Sequence, residues 1–144
     1  MACTPDNSGI PPDVVLDESS SLLGSDANSD GVRDDIEQAI SKMPESDEVK
    51  SLFRAFSSAG QDLLRLDTSE RTPAIVAEAL STAEGQWSYM YCSPDGTTYD
   101  EWYEKLQVLD AMQLNTAERQ AKSQAVNQLL AGSVIRSLPC PTSR

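Results

Sequence analysis

Residues 26–37 read D-A-N-S-D-G-V-R-D-D-I-E, and their oxygen-bearing side chains recur at a regular spacing. This spacing is that of an EF-hand calcium loop, whose ligands stand at positions 1, 3, 5, 7, 9 and 12. In that register the predicted metal ligands are Asp26, Asn28, Asp30, Val32, Asp34 and Glu37. The sequence therefore predicts a calcium site just before a first helix.

The chemistry of calcium explains these residue types. It is a hard cation that takes six to eight oxygen ligands, so alternate residues of a tight loop must turn short oxygen-bearing side chains inward. Gly31 at position 6 permits the sharp turn, and Val32 contributes only its carbonyl. Asp34 can bind directly or through water, while Glu37 reaches back from the following helix with both carboxylate oxygens.

Two features separate this loop from a paired EF-hand. Arg33 occupies position 8, where an apolar residue usually pairs with a second loop, and residues 14–25 contain Ser- and Gly-rich stretches that make a poor incoming helix. We therefore expect a lone loop followed by one helix, similar to dockerin-like and thrombospondin-repeat-like bacterial loops. Calcium in such a loop is expected to stabilise the structure and not to act as a sensor. An ordinary acidic turn is the alternative, because Asp, Asn and Gly are common turn residues.

Apolar residues at helical spacing continue from the loop towards the C-terminus. A first helix is predicted over about residues 33–43, before a proline. Ser46 is the predicted N-cap of a second helix. Thr72 followed by Pro73 starts a third helix, whose inner face is predicted to continue to Tyr91.

The last two helices carry equally local start signals. Thr98 and Glu101 form a capping box, Thr-x-x-Glu, at the start of a fourth helix. Asn115 and Thr116 can cap a fifth helix. No strand-like alternation rivals these patterns, so the predicted fold class is all-α, a bundle of about five helices preceded by an EF-hand-like loop.

Length and charge restrict the classes of partner. A chain of 144 residues suits one domain, and we interpret residues 1–25 as a tether and irregular lead-in and residues 26–144 as a single helical domain. The formal net charge of −12 opposes binding to nucleic acid or to an anionic membrane. It favours a cation or a basic protein partner. Self-association is left open.

The cysteines indicate the compartment. A disulfide between Cys92 and Cys140 would close a loop of about 48 residues and stabilise the fold by roughly 4 kcal/mol in the chain-entropy model. Such a bond needs an oxidising compartment. Cys3 precedes a polar segment and is similar to the lipid-bearing cysteine of a bacterial lipoprotein, although an unpaired cysteine in a frayed tail is the alternative. Together these features predict the periplasm, with Cys3 as the expected lipid anchor.

The sequence contains few of the residues and motifs that catalytic sites use. The chain has no histidine, which removes Ser-His-Asp and Cys-His sites and most zinc sites. No phosphate-binding glycine loop or dinucleotide fingerprint appears. We therefore expect a protein that is not an enzyme. A carboxylate-based hydrolase is a weaker hypothesis, because 23 acidic residues supply candidate pairs without selecting any of them.

Aromatic residues flank a predicted turn at residues 92–98. Tyr89, Tyr99 and Tyr103 fall outside the main apolar stripes, and exposed tyrosines beside a stiff turn are typical of protein-binding surfaces. The predicted partner-binding residues are Ser93, Asp95, Tyr99 and Tyr103. Core packing is the alternative for each tyrosine taken singly.

These features occur together in one known class of protein. They are the loop at 26–37, Tyr91-Cys92, L-N-T-A-E-R at 114–119, residues 129–132 and Cys140. In this order they resemble small helical immunity proteins of Gram-negative bacteria, which protect against the third family of type VI secretion peptidoglycan amidases.

The resemblance covers roughly residues 26–140. It implies a calcium-binding periplasmic protein that binds a secreted peptidoglycan amidase and blocks its catalytic cleft. The alternative function is a calcium-binding lipoprotein module of the cell envelope, with a structural or adhesion role.

Overall fold

The computed structural model describes residues 9–136 and 138–140, and it confirms the all-α fold. The five α-helices in these residues are α1 Asp34–Lys42, α2 Asp47–Arg65, α3 Pro73–Trp87, α4 Tyr99–Gln113 and α5 Ala117–Leu130. A 3-10 helix at Ser88–Tyr91 extends α3. The described part of the chain contains no β-strand.

Hydroxyl N-caps begin four of these helices. The side-chain oxygens of Ser46, Thr72 and Thr116 each accept a hydrogen bond from the backbone N–H three residues later. Thr98 and Glu101 form both bonds of the capping box, at 3.2 and 3.0 Å. Because these caps satisfy donors that have no partner within the helix, they define the helix starts locally.

Helix α1 begins in a different way. Arg33 is its N-cap residue and provides no side-chain cap. The backbone N–H of Asp34 instead donates to the carbonyl of Ser25 at 2.8 Å. The segment before the helix therefore supplies the hydrogen-bond acceptor for the first turn. The acidic side chains of that turn are stabilised by the positive end of the helix dipole.

Two hydrophobic clusters hold the helices together. The first lies between α1, α2 and α4, where Ile36 and Trp102 are fully buried and the Phe53 ring stacks on Trp102 at 5.4 Å. The second lies between α2, α3 and α5 and includes Ala79 and Leu129. Burial of each large apolar side chain contributes about 1.5–3 kcal/mol to the free energy of folding.

The segment before the candidate calcium loop is irregular but packed. Ile10, Val14 and Leu16 contact the first hydrophobic cluster, whereas Val15 is 86% exposed. The side-chain amide of Gln61 on α2 donates a hydrogen bond to the backbone carbonyl of Leu23. Apolar contacts and hydrogen bonds therefore fix this segment to the helices.

Candidate calcium loop and partner-binding surface

Asp26 closes the turn at the centre of the candidate calcium loop. Its carboxylate accepts hydrogen bonds from the backbone N–H groups of Asp30 and Gly31, at 3.3 and 3.0 Å. Gly31 has φ +86°, and a Cβ at this position would lie 2.6 Å from Ser58 Oγ. Glycine is the residue that tolerates both conditions, which agrees with the expectation for position 6.

Hydrogen bonds also engage positions 3 and 5 of the loop. Asn28 Nδ2 donates to Asp30 Oδ2 at 3.1 Å, and the Val32 N–H donates to Asp30 Oδ1 at 2.9 Å. The bond from Val32 is the main cause of a lowered pKa at Asp30. A lowered pKa suits a metal ligand but not the general acid of a hydrolase, so Asp30 does not support the carboxylate-hydrolase hypothesis.

The last two predicted ligands, Asp34 and Glu37, contact other groups of the protein. Both carboxylate oxygens of Asp34 accept from the Ala27 N–H, at 3.1 and 3.2 Å. Glu37 Oε1 forms an ion pair with Arg54 Nε at 2.7 Å. Glu37 Oε2 is buried and has no hydrogen-bond partner among the described residues. An unpaired buried carboxylate oxygen is unfavourable, and a bound cation would satisfy it.

The donor chemistry of the loop fits calcium, but its carboxylates are not grouped as a metal site in the described residues. Carboxylate, amide and carbonyl oxygens are the ligands that calcium prefers. Within residues 9–136 and 138–140, no three Asp, Glu or Cys side chains form a group that could hold a metal. Calcium binding therefore stays a prediction.

Arg33, the residue that departs from the EF-hand pattern, is the main anchor of the loop. Its side chain is fully buried and pairs with the two carboxylate oxygens of Asp35 at 2.6 and 2.7 Å. The guanidinium also donates to the carbonyls of Met112 and Gln113 at the end of α4. A lone loop has no second loop to pack against, and here the C-terminal carbonyls of α4 take that place.

A second buried arginine, Arg119, fixes the lead-in beside the loop. It donates to the backbone carbonyls of Asp17, Ser21 and Leu22. Arg33 and Arg119 both donate to Asn115 Oδ1, at 3.3 and 2.7 Å. Sequence reasoning missed this network, because arginine is rarely buried. The one available signal was the arginine at position 8 of the loop, where an apolar residue was expected.

The disulfide between Cys92 and Cys140 is confirmed. The two sulfur atoms lie at bonding distance, and the Cα atoms are 5.5 Å apart, within the usual range for a disulfide. The bond ties the C-terminal segment to the end of the 3-10 helix. Cys3, the predicted lipid anchor, lies outside the described residues. No helix within those residues is long and apolar enough to cross a membrane.

Three tyrosines stack on the surface beside this disulfide. The ring centroids of Tyr91 and Tyr99 are 6.1 Å apart, and those of Tyr99 and Tyr103 are 5.9 Å apart. Tyr91 is 61% exposed and Tyr99 is 45% exposed, so the stack faces solvent. We call Tyr91, Tyr99 and Tyr103 the tyrosine surface. It contains two of the four predicted partner-binding residues.

The other two predicted partner-binding residues lie in the adjoining turn. Asp95 is exposed and Ser93 is partly buried. A hydrogen bond of 3.0 Å from the Thr97 N–H to the Pro94 carbonyl closes this turn. The structure therefore places all four predicted residues in one segment, between the disulfide and the first turns of α4.

The expected faces of two tyrosines near the end of α3 are wrong. Tyr91 was expected on the inner face but is exposed. Tyr89 was expected off the inner face but packs against the first hydrophobic cluster, and its carbonyl accepts from Trp102 Nε1 at 2.8 Å. The cause is the change to 3-10 geometry at Ser88, which rotates successive side chains by about 120° instead of about 100°.

A groove of about 540 Å³ lies next to the tyrosine surface. Its lining includes Trp87, Met90, Leu106, Ile135 and Leu138, together with Tyr91 and Tyr103. The C-terminal segment forms one wall and is held by the disulfide and by an ion pair of 2.9 Å between Arg136 and Glu84. The hydrogen bond from Arg136 lowers the pKa of Glu84, whose side chain is 1% exposed.

No protein-family model, curated protein or solved structure matches this chain. The functional interpretation therefore depends on the candidate calcium loop, the tyrosine surface and the groove. Of these three, the tyrosine surface and the groove share residues and form one continuous region.

Proposed function

We propose that this chain is a periplasmic immunity protein that binds a type VI secreted peptidoglycan amidase and covers its catalytic cleft. The observation that carries this proposal is the tyrosine surface. Tyrosine is enriched at the hot spots of protein interfaces, because it offers a large contact area at a low cost in side-chain entropy. Three stacked rings, of which Tyr91 and Tyr99 are exposed, are what an interface of this kind uses.

Local restraints support a preformed binding surface. The disulfide holds the end of the 3-10 helix that carries Tyr91, and the capping box fixes the start of α4, which carries Tyr99 and Tyr103. A rigid surface loses little conformational entropy on binding. The net charge of −12 would also speed association with a basic amidase.

The test requires the product of a neighbouring gene for a secreted Cys-His hydrolase. We expect the two purified proteins to form a complex and the chain to stop peptidoglycan hydrolysis. Tyr99→Ala should weaken binding by about 2 kcal/mol, as expected for an interface hot spot. Val15→Ala is the matched control, because it also removes exposed apolar surface but lies in the lead-in.

Two results would count against this proposal. If the purified proteins form no complex, the inhibitory function is wrong. If a complex forms but Tyr99→Ala binds as well as the unmodified chain, the interface lies elsewhere. Sedimentation of the chain alone, compared with the Tyr99→Ala variant, shows whether the tyrosine surface serves self-association instead.

A second candidate function is a calcium-binding lipoprotein module of the cell envelope. The observation that favours it is the buried Glu37 Oε2 at the last ligand position, which has no hydrogen-bond partner within the described part of the chain. In this hypothesis a bound calcium ion holds the lead-in against α1, and Cys3 carries lipid. Calorimetric titration of calcium into chelator-stripped protein, with thermal melts before and after, tests the site. No heat and no shift in Tm would reduce the loop to an acidic turn.

A further inference from the structure

The groove beside the tyrosine surface contains a carboxylate that the proposed function does not use. Asp110 and Tyr103 both line the groove, and both lie on α4. They are seven residues apart and therefore share one face of the helix, roughly 10 Å apart along its axis. The groove thus runs from the tyrosine surface to an acidic side chain.

Asp110 has no cationic partner within the described residues. None of the ion pairs there includes it. Asp110 is exposed to water at the groove, and the protein atoms around its carboxylate partly desolvate it and raise its pKa. A carboxylate in this setting is stabilised when a cation enters.

The positive charge of Arg136 in the lining of the groove does not fill this role. Arg136 Nε lies 2.9 Å from Glu84 Oε2, and its Nη2 lies 3.4 Å from Glu84 Oε1. These two charges therefore neutralise each other. The negative charge of Asp110 is left for a ligand.

We propose that the groove binds an arginine side chain of a basic protein partner, with the aromatic walls covering its aliphatic stem and Asp110 pairing with its guanidinium. This inference rests on the proposed function and names the residue that the partner inserts. Arginine fits because its stem packs on apolar surface and its planar head both stacks on aromatic rings and pairs with carboxylates. The volume of about 540 Å³ is in the range of ligand-binding pockets.

Two other occupants fit less well. A purely aliphatic side chain would desolvate Asp110 further and offer it no hydrogen bond. An acidic or phosphorylated ligand would be repelled by Asp110 and by the net charge of −12.

A fragment titration tests the groove without the partner protein. N-acetyl-arginine amide is added at millimolar concentrations to the full chain, and NMR follows the indole signal of Trp87 and the amide signals around Asp110. We expect saturable shifts in the groove, at least tenfold weaker binding by Asp110→Asn, and unchanged binding by Glu104→Gln. Glu104 is the matched control, because it is an exposed acid on the same helix outside the groove lining.

Three results would overturn the inference. They are an absence of groove shifts, equal binding by Asp110→Asn, and equal affinity for N-acetyl-leucine amide. The outcome also separates this inference from the proposed function. If the chain binds the fragment through Asp110 but forms no complex with the amidase, the groove is an arginine site and the inhibitory function is wrong. If the chain forms the amidase complex but its groove does not bind the fragment, the inhibitory function stands and the arginine site is wrong.

Discussion

The loop region and the tyrosine region of this molecule are held by different forces. In the loop region, Arg33 and Arg119 hold the lead-in and the candidate calcium loop through ion pairs and hydrogen bonds to backbone carbonyls. In the tyrosine region, a disulfide and stacked rings hold the surface. Ionic contacts can exchange partners, whereas a covalent bond and packed rings keep one geometry.

This difference suggests a division of roles. The loop carboxylates are engaged by hydrogen bonds and by Arg54, and a metal ion can compete for them. The tyrosine surface needs no such exchange before it meets a partner. We therefore expect the loop region to respond to calcium and acid, and the tyrosine region to behave as a preformed surface.

The largest effect is expected from the buried charge of the loop region. Arg119→Ala removes the ion-pair partner of the Asp17 carboxylate and the hydrogen-bond donor of three lead-in carbonyls, and it should lower the free energy of unfolding by about 3–5 kcal/mol. Urea denaturation measures the loss. Arg65→Ala removes an exposed ion pair with Asp62 and should cost less than about 1 kcal/mol. Similar losses in the two variants would show that the network does not stabilise the fold.

The next effect concerns the covalent bond of the tyrosine region. Replacing Cys92 and Cys140 together with alanine should lower the free energy of unfolding by about 4 kcal/mol, because the bond constrains the unfolded chain. Thermal melts with and without reductant measure this change. Reductant should lower the Tm of the unmodified chain and leave that of the double variant unaltered. If reductant leaves the Tm of both proteins unaltered, the disulfide does not stabilise the fold.

A smaller effect compares two ligands of the candidate calcium loop. Glu37→Gln should weaken calcium binding at least about tenfold, because this residue is predicted to supply two oxygens, and Asp34→Asn should weaken it less. Arg54→Ala should tighten binding, since it frees Glu37 from its ion pair. Calorimetric titration measures all three variants. Equal losses for Glu37→Gln and Asp34→Asn would show that the ligand register is wrong.

The smallest effect is expected in acid. Hydrogen bonds from the side chain and the backbone N–H of Ser19 lower the pKa of Asp17 from 3.8 to about 2. A carboxylate with a lowered pKa in the folded state stabilises the fold above its unfolded pKa, and this stability is lost as the pH falls from about 4 to about 2. The loss should be about 1 kcal/mol after solvent screening. Melts of Asp17→Asn over this range should show a smaller decline, and an identical decline would contradict the assignment.

The sequence by itself determined the helices, the capped starts of α2 to α5 and the disulfide. The caps at Ser46, Thr72, Thr98 and Thr116 join atoms three residues apart, so their chemistry could be read from adjacent letters. The end of α3 escaped this reading, because no local motif marks the change from α to 3-10 geometry at Ser88, where the Tyr89 carbonyl accepts a hydrogen bond from the distant Trp102. The ligand types of the candidate calcium loop were equally local, but the spatial arrangement of those side chains was not.

Tertiary structure alone decided the burial of Arg33 and Arg119, the stacking of the tyrosine surface and the groove that leads to Asp110. The bonds of the two arginines reach carbonyls 79 to 102 positions away along the chain. No periodicity or local motif reports such a contact, since burial of a charge depends on acceptors that distant segments supply. Sequence spacing therefore identified which residues carry chemistry, and packing determined which of them meet.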